Sequence, residues 1–252
     1  MIISVAQAQL FFLAFTRIMA ILIHVPMLGG QNIPAQVRIG LGLVLGVVLI
    51  PWQPLPPESV AIGNFAYGLA IGREIIIGTL IGFAADLAFG AVQMAGSAMG
   101  MGSGFESSRI FNPALGEAGS SFDQIFVMTA SMIFLVIDGH HLFLIALQKT
   151  FDVVPLNGSL PFSGMEAFMR ATPVFISAGV HMAMPVIAAL VLTDLTLGLL
   201  ARVAPQVQVY FLGLPVKVVV AMIAMGMIFA VIPPYLSSLY KSMIENMFLF
   251  VE

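Results

Sequence analysis

The chain has 252 residues, of which 60% are hydrophobic and only 8% are charged, and its mean hydropathy is +1.07. Soluble domains average roughly 45–50% apolar and about 25% charged residues, and a soluble protein of this size could not hide so much apolar surface. The net charge of −3, without a basic run, gives no support for nucleic-acid binding, and the lack of cysteine excludes disulfides and thiolate chemistry. The composition therefore predicts an integral-membrane-type protein.

Six apolar stretches alternate with clusters of Gly, Pro and polar residues along the chain. They cover approximately residues 2–28, 39–50, 60–90, 124–147, 174–201 and 211–236. The intervening clusters, including a Gly-rich stretch over 96–123, are typical of connections that end helices. The first stretch lacks the features of a cleaved signal peptide, so we expect it to be a helix of the mature protein. The pattern predicts an all-α fold with about six hydrophobic segments in a single domain over 1–252.

These segments differ from ordinary membrane spans. A lipid-facing helix needs about 20 apolar residues, whereas the second segment has only twelve between Arg38 and Pro51. Ionisable residues at membrane depth cost at least roughly 2.5 kcal/mol each unless they face protein or water. We therefore expect broken helices whose charged faces turn toward partners or an aqueous path. The interrupting residues are Arg17, Arg73, Glu74, Asp86, Asp138, His140, His141, His181 and Asp194.

Glycines spaced four residues apart recur and predict dense helix packing. On a helix this spacing places them along one face, where the missing side chains let two backbones approach closely. The sets are Gly42 with Gly46, Gly68 with Gly72, Gly78 with Gly82, and Gly96 with Gly100 and Gly104.

The most site-like polar cluster is Asp138-Gly139-His140-His141. Adjacent histidines do not share a helical face as an i, i+4 pair does, and the HExxH spacing is absent. A polar helix end is therefore the preferred interpretation, and an intramembrane enzyme or metal site is the alternative. No nucleophile elbow or P-loop occurs, so we expect neither an enzyme nor a cofactor.

Asp86 and Asp194 stand in otherwise apolar runs and allow two interpretations. They could form a proton relay of an ion or small-solute transporter, together with Asp138. The preferred interpretation is a buried ion pair or hydrogen bond to Arg73, to Arg202 or to a neighbouring subunit. Internal repeats, which many transporters carry, are not evident.

The stretch 100–113 is too polar and flexible for lipid exposure, yet it carries bulky apolar residues. Irregular backbone at membrane depth is tolerated only inside protein or along a cavity. A flexible loop of this kind could close a pore, and an ordinary surface loop with tucked-in aromatic rings is equally compatible. The bulky residues are Met101, Phe105, Ile110 and Phe111.

Several short motifs follow one another in a distinctive order. They are Arg17 and Pro26, Ile33-Pro34, Arg38-Ile39-Gly40-Leu41, the Gly-rich block ending in Asn112-Pro113, and Asp138-Gly139-His140. The most specific block runs over 194–206 and contains Arg202-Val203-Ala204-Pro205-Gln206, followed by Gly213-Leu214-Pro215-Val216-Lys217. In this order, and over essentially the whole chain, the sequence resembles the flagellar FliR family, whose virulence-secretion relatives form the SctT group.

This resemblance implies a subunit of the type III secretion export gate in the bacterial inner membrane, at the flagellar basal body. It implies one copy of the chain in a hetero-oligomer with FliP-like and FliQ-like subunits, beside an FlhB-like subunit, that passes unfolded proteins. It also implies helices displaced toward the periplasm. An injectisome gate subunit is the alternative that stays open.

The resemblance also suggests roles for particular residues. Phe105 and Phe111 would plug the closed channel, with Met101 and Ile110 in support, although Glu106 and Arg109 make this loop unusually polar. Structural or inter-subunit polar contacts are expected at Arg73, Asp86, Asp138, Asp194, Arg202, Gln206 and Lys217.

Overall fold

A computed structural model describes residues 4–29, 33–49, 63–104, 121–156, 164–206 and 208–250. All the regular structure in these residues is helical, which confirms the all-α prediction. The helices are α1 (Val5–Ile23), α2 (Pro26–Gly29), α3 (Ala35–Leu49), α4 (Asn64–Ser103), α5 (Ser121–Val136), α6 (Gly139–Val153), α7 (Gly164–Val203) and α8 (Val209–Leu249).

Local sequence signals fix both ends of α1. At its start the Gln7 amide donates to Ser4 Oγ and the Ser4 amide donates to Gln7 Oε1, at 3.2 and 2.9 Å. This reciprocal capping box satisfies two backbone donors that the first helical turn leaves unpaired. The helix ends before Pro26, which has no amide hydrogen to continue the ladder.

Four of these helices, α1, α4, α7 and α8, are long and apolar enough to cross a membrane. The pair α5 and α6 could form a fifth span, but it is bent by 76° at Asp138, whose φ is +56°. The predicted break in the fourth hydrophobic segment is therefore confirmed, and its polar residue occupies the left-handed conformation that Asp tolerates better than most. The apolar helix α3, with 15 residues, is shorter than a span, as its segment predicted.

One sequence expectation about a boundary is wrong. The Gly-rich stretch over 96–123 was expected to be a connection, but α4 continues through its first part to Ser103. Close packing explains the difference, because a Cβ on Gly96 would clash with the Asp123 backbone and one on Gly102 would lie 3.1 Å from Leu190. Here glycine permits helix contact instead of ending the helix.

The chain divides into two compact units. The first takes its described residues from 1–87, 138–172 and 241–252, and its core contains the fully buried Leu13, Ile18 and Ile77. The second takes its described residues from 88–137 and 173–240. Within it the buried Tyr240 donates to the Ala130 carbonyl at 2.9 Å. The organisation as a single domain stays a prediction.

Candidate functional site: a polar seam between α1 and α4

An ion pair between Arg17 of α1 and Glu74 of α4 is completely buried in the first unit. Arg17 Nε lies 2.6 Å from Glu74 Oε2, and both side chains are 0% exposed. A buried charge is tolerated only when it is paired and further hydrogen-bonded. The pair therefore requires both helices to be in place.

Nη1 of the guanidinium group is directed at the end of α6, while the buried Nη2 has no hydrogen-bond partner within the described structure. Arg17 Nη1 donates to the carbonyls of Thr150 and Val154 at 3.2 and 2.6 Å, and the group lies 4.8 Å from the centre of the Phe151 ring. The last carbonyls of a helix lack partners within the helix and carry its negative partial charge. Arg17 thus joins three helices of the first unit through one side chain.

Glu74 is the first member of a regular row on α4. Glu74, Gly78, Gly82 and Asp86 stand four residues apart, so they lie along one face of the helix. A Cβ on Gly78 would lie 2.6 Å from Ala20 Cβ, and one on Gly82 would lie within 2.9 Å of the His24 side chain. We call this row, with its α1 contacts, the α1–α4 seam.

A second polar pair closes the other end of the seam. His24 Nδ1 lies 2.5 Å from Asp86 Oδ2, and the imidazole stacks on Phe83 with 5.4 Å between ring centres. This pair is less buried than the first, because the Asp86 side chain is 42% exposed.

The other face of α1 receives α3. A Cβ on Gly42 would lie 3.1 Å from the Phe15 ring, and one on Gly46 would lie 3.3 Å from the Phe11 ring. Close packing is thus confirmed for the pairs Gly42–Gly46 and Gly78–Gly82. Gly68 and Gly72 have no atom within 4 Å of a Cβ position among the contacts of the described residues.

The second unit holds two further polar groups in apolar surroundings. Asp194 of α7 lies 2.5 Å from Lys217 Nζ of α8 and ties the two helices together. Asp123 is 3% exposed, with Ser97 Oγ 3.3 Å from its Oδ2, and its Oδ1 has no hydrogen-bond partner within the described structure.

Asp86 and Asp194 have different partners in the structure from those that we expected. Asp86 pairs with His24 and Asp194 pairs with Lys217, so the suggested partners Arg73 and Arg202 are wrong for these contacts. The reason is geometric, because Arg73 is exposed while the next residue, Glu74, faces the seam. Arg202, Gln206 and Asp138 are also exposed, and any inter-subunit role for them stays a prediction.

The predicted plug residues are mostly beyond reach of the structure. Phe105, Ile110 and Phe111 lie outside the described residues. Met101 lies in the last turn of α4, where it is 68% exposed. Its role, like theirs, stays a prediction.

Sequence reasoning treated Glu74 only as a charge that interrupts an apolar segment and serves helix packing, and it did not consider His24 or Asp123. For the first two a signal was available, since the i, i+4 row on α4 joins two carboxylates through two glycines. Arg17 of α1 and the C-cap residue His24 stand seven residues apart, which places them on the same side of the helix. For Asp123 we find no comparable pattern, because its burial depends on α4 running on past residue 96.

The seam holds helices together and contains no nucleophile next to a base. Among the residues that the structure describes, no group of three or more His, Asp or Glu is placed to hold a metal ion. The site is therefore best understood as a structural clamp between helices.

Comparison with known proteins decides the family. The sequence model of "Bacterial export proteins, family 1" matches residues 8–243, which include the whole seam and all of the α7–α8 hairpin except the last six residues of α8. The chain belongs to this family of bacterial export proteins.

Relatives within the export family cover nearly the full chain. The flagellar biosynthetic protein FliR of Bacillus subtilis is 32% identical over 242 residues, covering 94% of this chain and 92% of the relative. FliR of Pectobacterium carotovorum is 29% identical over 93% of this chain and 90% of its own length. The secretion system apparatus protein SsaT of Salmonella typhimurium is 28% identical over 84% and 83%. The resemblance to the FliR and type III export family is thereby confirmed.

Proposed function

We propose that this chain is a subunit of the flagellar type III export gate, where it forms a channel for unfolded proteins with FliP-like and FliQ-like subunits. The observation that carries the proposal is the family match over residues 8–243 together with its flagellar relatives. The chain would form part of the channel wall and part of the element that closes the channel. The energy for transport would come from other components.

Exposed apolar surface on the α7–α8 hairpin supports assembly with other subunits. Near the hairpin end, large apolar side chains point away from the chain on several sides of both helices. The most exposed are Leu192, Leu195, Leu199 and Val203 on α7 and Phe211, Leu212 and Val219 on α8. Apolar surface that surrounds a two-helix hairpin must be covered by lipid or protein.

Polar groups on the apolar surface of the α7–α8 hairpin indicate that protein, and not lipid, covers part of this surface. The Asp194–Lys217 pair and the exposed Arg202 lie along the same hairpin. Charged groups facing hydrocarbon are costly, whereas a subunit interface can pair them. This supports assembly with other subunits, and we propose that the resulting hetero-oligomer holds one copy of the chain.

The lengths of α4, α7 and α8 support helices that extend beyond the membrane. Each has 40 or 41 residues, so each is about 60 Å long at 1.5 Å per residue. The hydrocarbon core is only about 30 Å thick. We place the assembled gate at the inner membrane with these helices displaced toward the periplasm, next to an FlhB-like subunit.

The loop around Phe105 and Phe111 would close the channel in this assembly. Met101, on the exposed last turn of α4, stands where the chain enters that loop. The transporter alternative loses support, because Asp86 and Asp194 are engaged by His24 and Lys217 within the chain.

Co-purification tests the proposal directly. A tagged copy of this chain is produced with its genomic FliP-like and FliQ-like neighbours, and the detergent-extracted complex is weighed by native mass spectrometry. We expect a large hetero-complex with one copy of this chain. A lone monomer or homodimer under conditions that preserve a known multi-subunit membrane complex would contradict the proposal.

A further inference from the structure

The last turns of α8 belong to the first unit, although most of that helix belongs to the second. The described residues 241–250 join those of 1–87 and 138–172, while the stretch 173–240 forms part of the second unit. The first unit is therefore assembled from three separate pieces of the chain. We call residues 241–250 the α8 strap.

The α8 strap is amphipathic, and its apolar face is buried. Met243, Met247 and Phe250 have the i, i+4, i+7 spacing of one helical face, and all three side chains are fully buried. Lys241 and Glu245, four residues apart, are exposed. Full burial of large apolar side chains is the main favourable contribution to folding. The strap is therefore an integral part of the core of the first unit.

A row of aromatic rings connects the α8 strap to the α1–α4 seam within the first unit. The Phe250 ring packs edge-on against Phe168 of α7, with 5.7 Å between ring centres. Phe168 packs in the same way on Phe83 of α4 at 5.5 Å, and Phe83 stacks on His24 at one end of the seam. Edge-to-face pairs contribute stability beyond the area that they bury. The strap thus reaches the seam through two intermediate rings.

The position of the strap in the sequence makes its contacts late ones. The helices that meet at Arg17 all precede the strap, and residues 173–240 of the second unit lie in between. Contacts between distant parts of a chain carry a cost in loop-closure entropy that local contacts do not. A chain synthesised only as far as residue 240 would contain both Arg17 and Glu74 but no strap.

We propose that the α8 strap closes the first unit, so that its core, including the Arg17–Glu74 pair, becomes inaccessible only when the strap docks. Before residues 241–250 are made, the first unit stays open on the side that Met243, Met247 and Phe250 later cover. The second unit contains no residue of the strap and folds without it. The proposal rests on packing within the first unit and is independent of the export-gate proposal.

Thiol labelling tests the proposal directly, because the chain has no cysteine of its own. Ala14→Cys places one thiol in the buried core of the first unit, and Ala183→Cys places one in the buried core of the second. The rate of reaction with N-ethylmaleimide is measured on the full-length protein in detergent. Phe12→Cys, at an exposed position of α1, gives the rate for an open site. In the parent chain we expect both buried thiols to react far more slowly than this reference.

A pair of matched variants then perturbs the strap. Met247→Asp places a charge on its buried face, while Leu249→Asp places the same charge two residues later at an exposed position. We expect Met247→Asp to raise the labelling rate of Ala14→Cys at least about tenfold, because an unpaired charge cannot stay buried and displaces the strap. Leu249→Asp should leave that rate nearly unchanged. Labelling of Ala183→Cys should change in neither variant.

Phe250→Ala is a second, uncharged variant that removes the ring in contact with Phe168. We expect it to raise the labelling rate of Ala14→Cys in the same direction. Protection of Ala14→Cys in both strap variants would overturn the proposal, because the first unit would then close without the strap. Equal exposure of Ala183→Cys would also overturn it, because the strap would then support the whole chain. Both readouts use the isolated chain, so neither depends on formation of the hetero-complex.

Discussion

At the scale of single residues, the clearest case is Arg17, an arginine at 0% exposure within an apolar set of helices. Its charge is tolerated because Glu74 and two carbonyls at the end of α6 surround it. Such a pair adds little over a well-packed apolar pair, but removal of one partner leaves an uncompensated buried charge. We therefore expect that replacement of either Arg17 or Glu74 alone destabilises the protein.

Glu74→Gln tests this expectation with almost no change in volume. We expect a loss of about 3–5 kcal/mol in the free energy of unfolding, because Arg17 remains buried without its counter-charge. The matched control is Glu166→Gln, which breaks the exposed pair with Arg170 on α7. Exposed pairs of this type contribute only about 0.3–0.5 kcal/mol.

The measurement for both variants is denaturant or thermal unfolding of the purified protein in one detergent. Similar stability losses in Glu74→Gln and Glu166→Gln would show that the buried pair does not have the importance assigned to it.

At the scale of elements, α4 shows how glycine spacing and charge act together. Two glycines of its i, i+4 row let α1 approach until its side chains lie over the α4 backbone. The Arg17–Glu74 ion pair and the His24–Asp86 contact fix the alignment at either end. Earlier on the same helix, Gly68 and Gly72 have the same spacing but no neighbour within 4 Å of a Cβ position. Identical sequence patterns on one helix thus have different structural uses.

Gly78→Leu and Gly72→Leu form a matched pair that separates these uses. The first should disrupt the seam, because its side chain would meet Ala20 and the Arg17 carbonyl; overpacking costs about 1–3 kcal/mol or more. The second should leave the isolated chain at least as stable, because leucine has the higher helix propensity.

Protease resistance and unfolding midpoints of the two glycine variants provide the readout. If Gly72→Leu alone blocked hetero-complex formation, that face would be a subunit contact. Equal destabilisation of the isolated chain by both changes would contradict the seam.

The hairpin of α7 and α8 is held near its end by Asp194 and Lys217. We predict that Lys217→Met lowers the yield of hetero-complex severalfold, since Asp194 loses its partner within an apolar surface. The double variant Asp194→Asn/Lys217→Met should recover part of the yield. The measurement is the amount of complex that co-purifies from equal quantities of membrane.

The opposite outcome for this hairpin pair is equally specific. Normal complex yield with blocked export in Lys217→Met would assign the pair to the transport step instead of assembly.

At the scale of the whole molecule, two compact units, long helices and extensive exposed apolar surface describe a chain built for assembly. These features are consistent with the proposed role of the chain as part of the wall of a larger channel. Within that channel, closure would depend on bulk at the loop that follows α4.

Replacement of Phe105 and Phe111 by alanine tests the closure. We expect the double variant to leak ions or small solutes, because the constriction loses two rings. The measurement is membrane permeability of cells that produce the complete gate, with Phe65→Ala, a change at an exposed ring of α4, as control. Unchanged permeability at normal complex levels would remove these residues from the closure.

Much of the fold could be predicted because it depends on local composition. The apolar segments, the short α3 and the break at Asp138 follow from residues that are adjacent in sequence. Close helix packing at Gly42 and Gly46 was likewise expected, although the structure alone identifies α1 as the neighbour. The export family followed from motif order along the chain, which needs no three-dimensional information.

The tertiary structure alone decided which charges meet. The sequence showed that Asp86 and Asp194 needed partners, but which side chain lies within reach depends on the rotation and alignment of whole helices. A change of one residue in register exchanges the exposed Arg73 for the buried Glu74, about 100° around the helix. Sequence determined the segments and the family, whereas helix packing determined the seam, because ion pairs join residues that are distant along the chain.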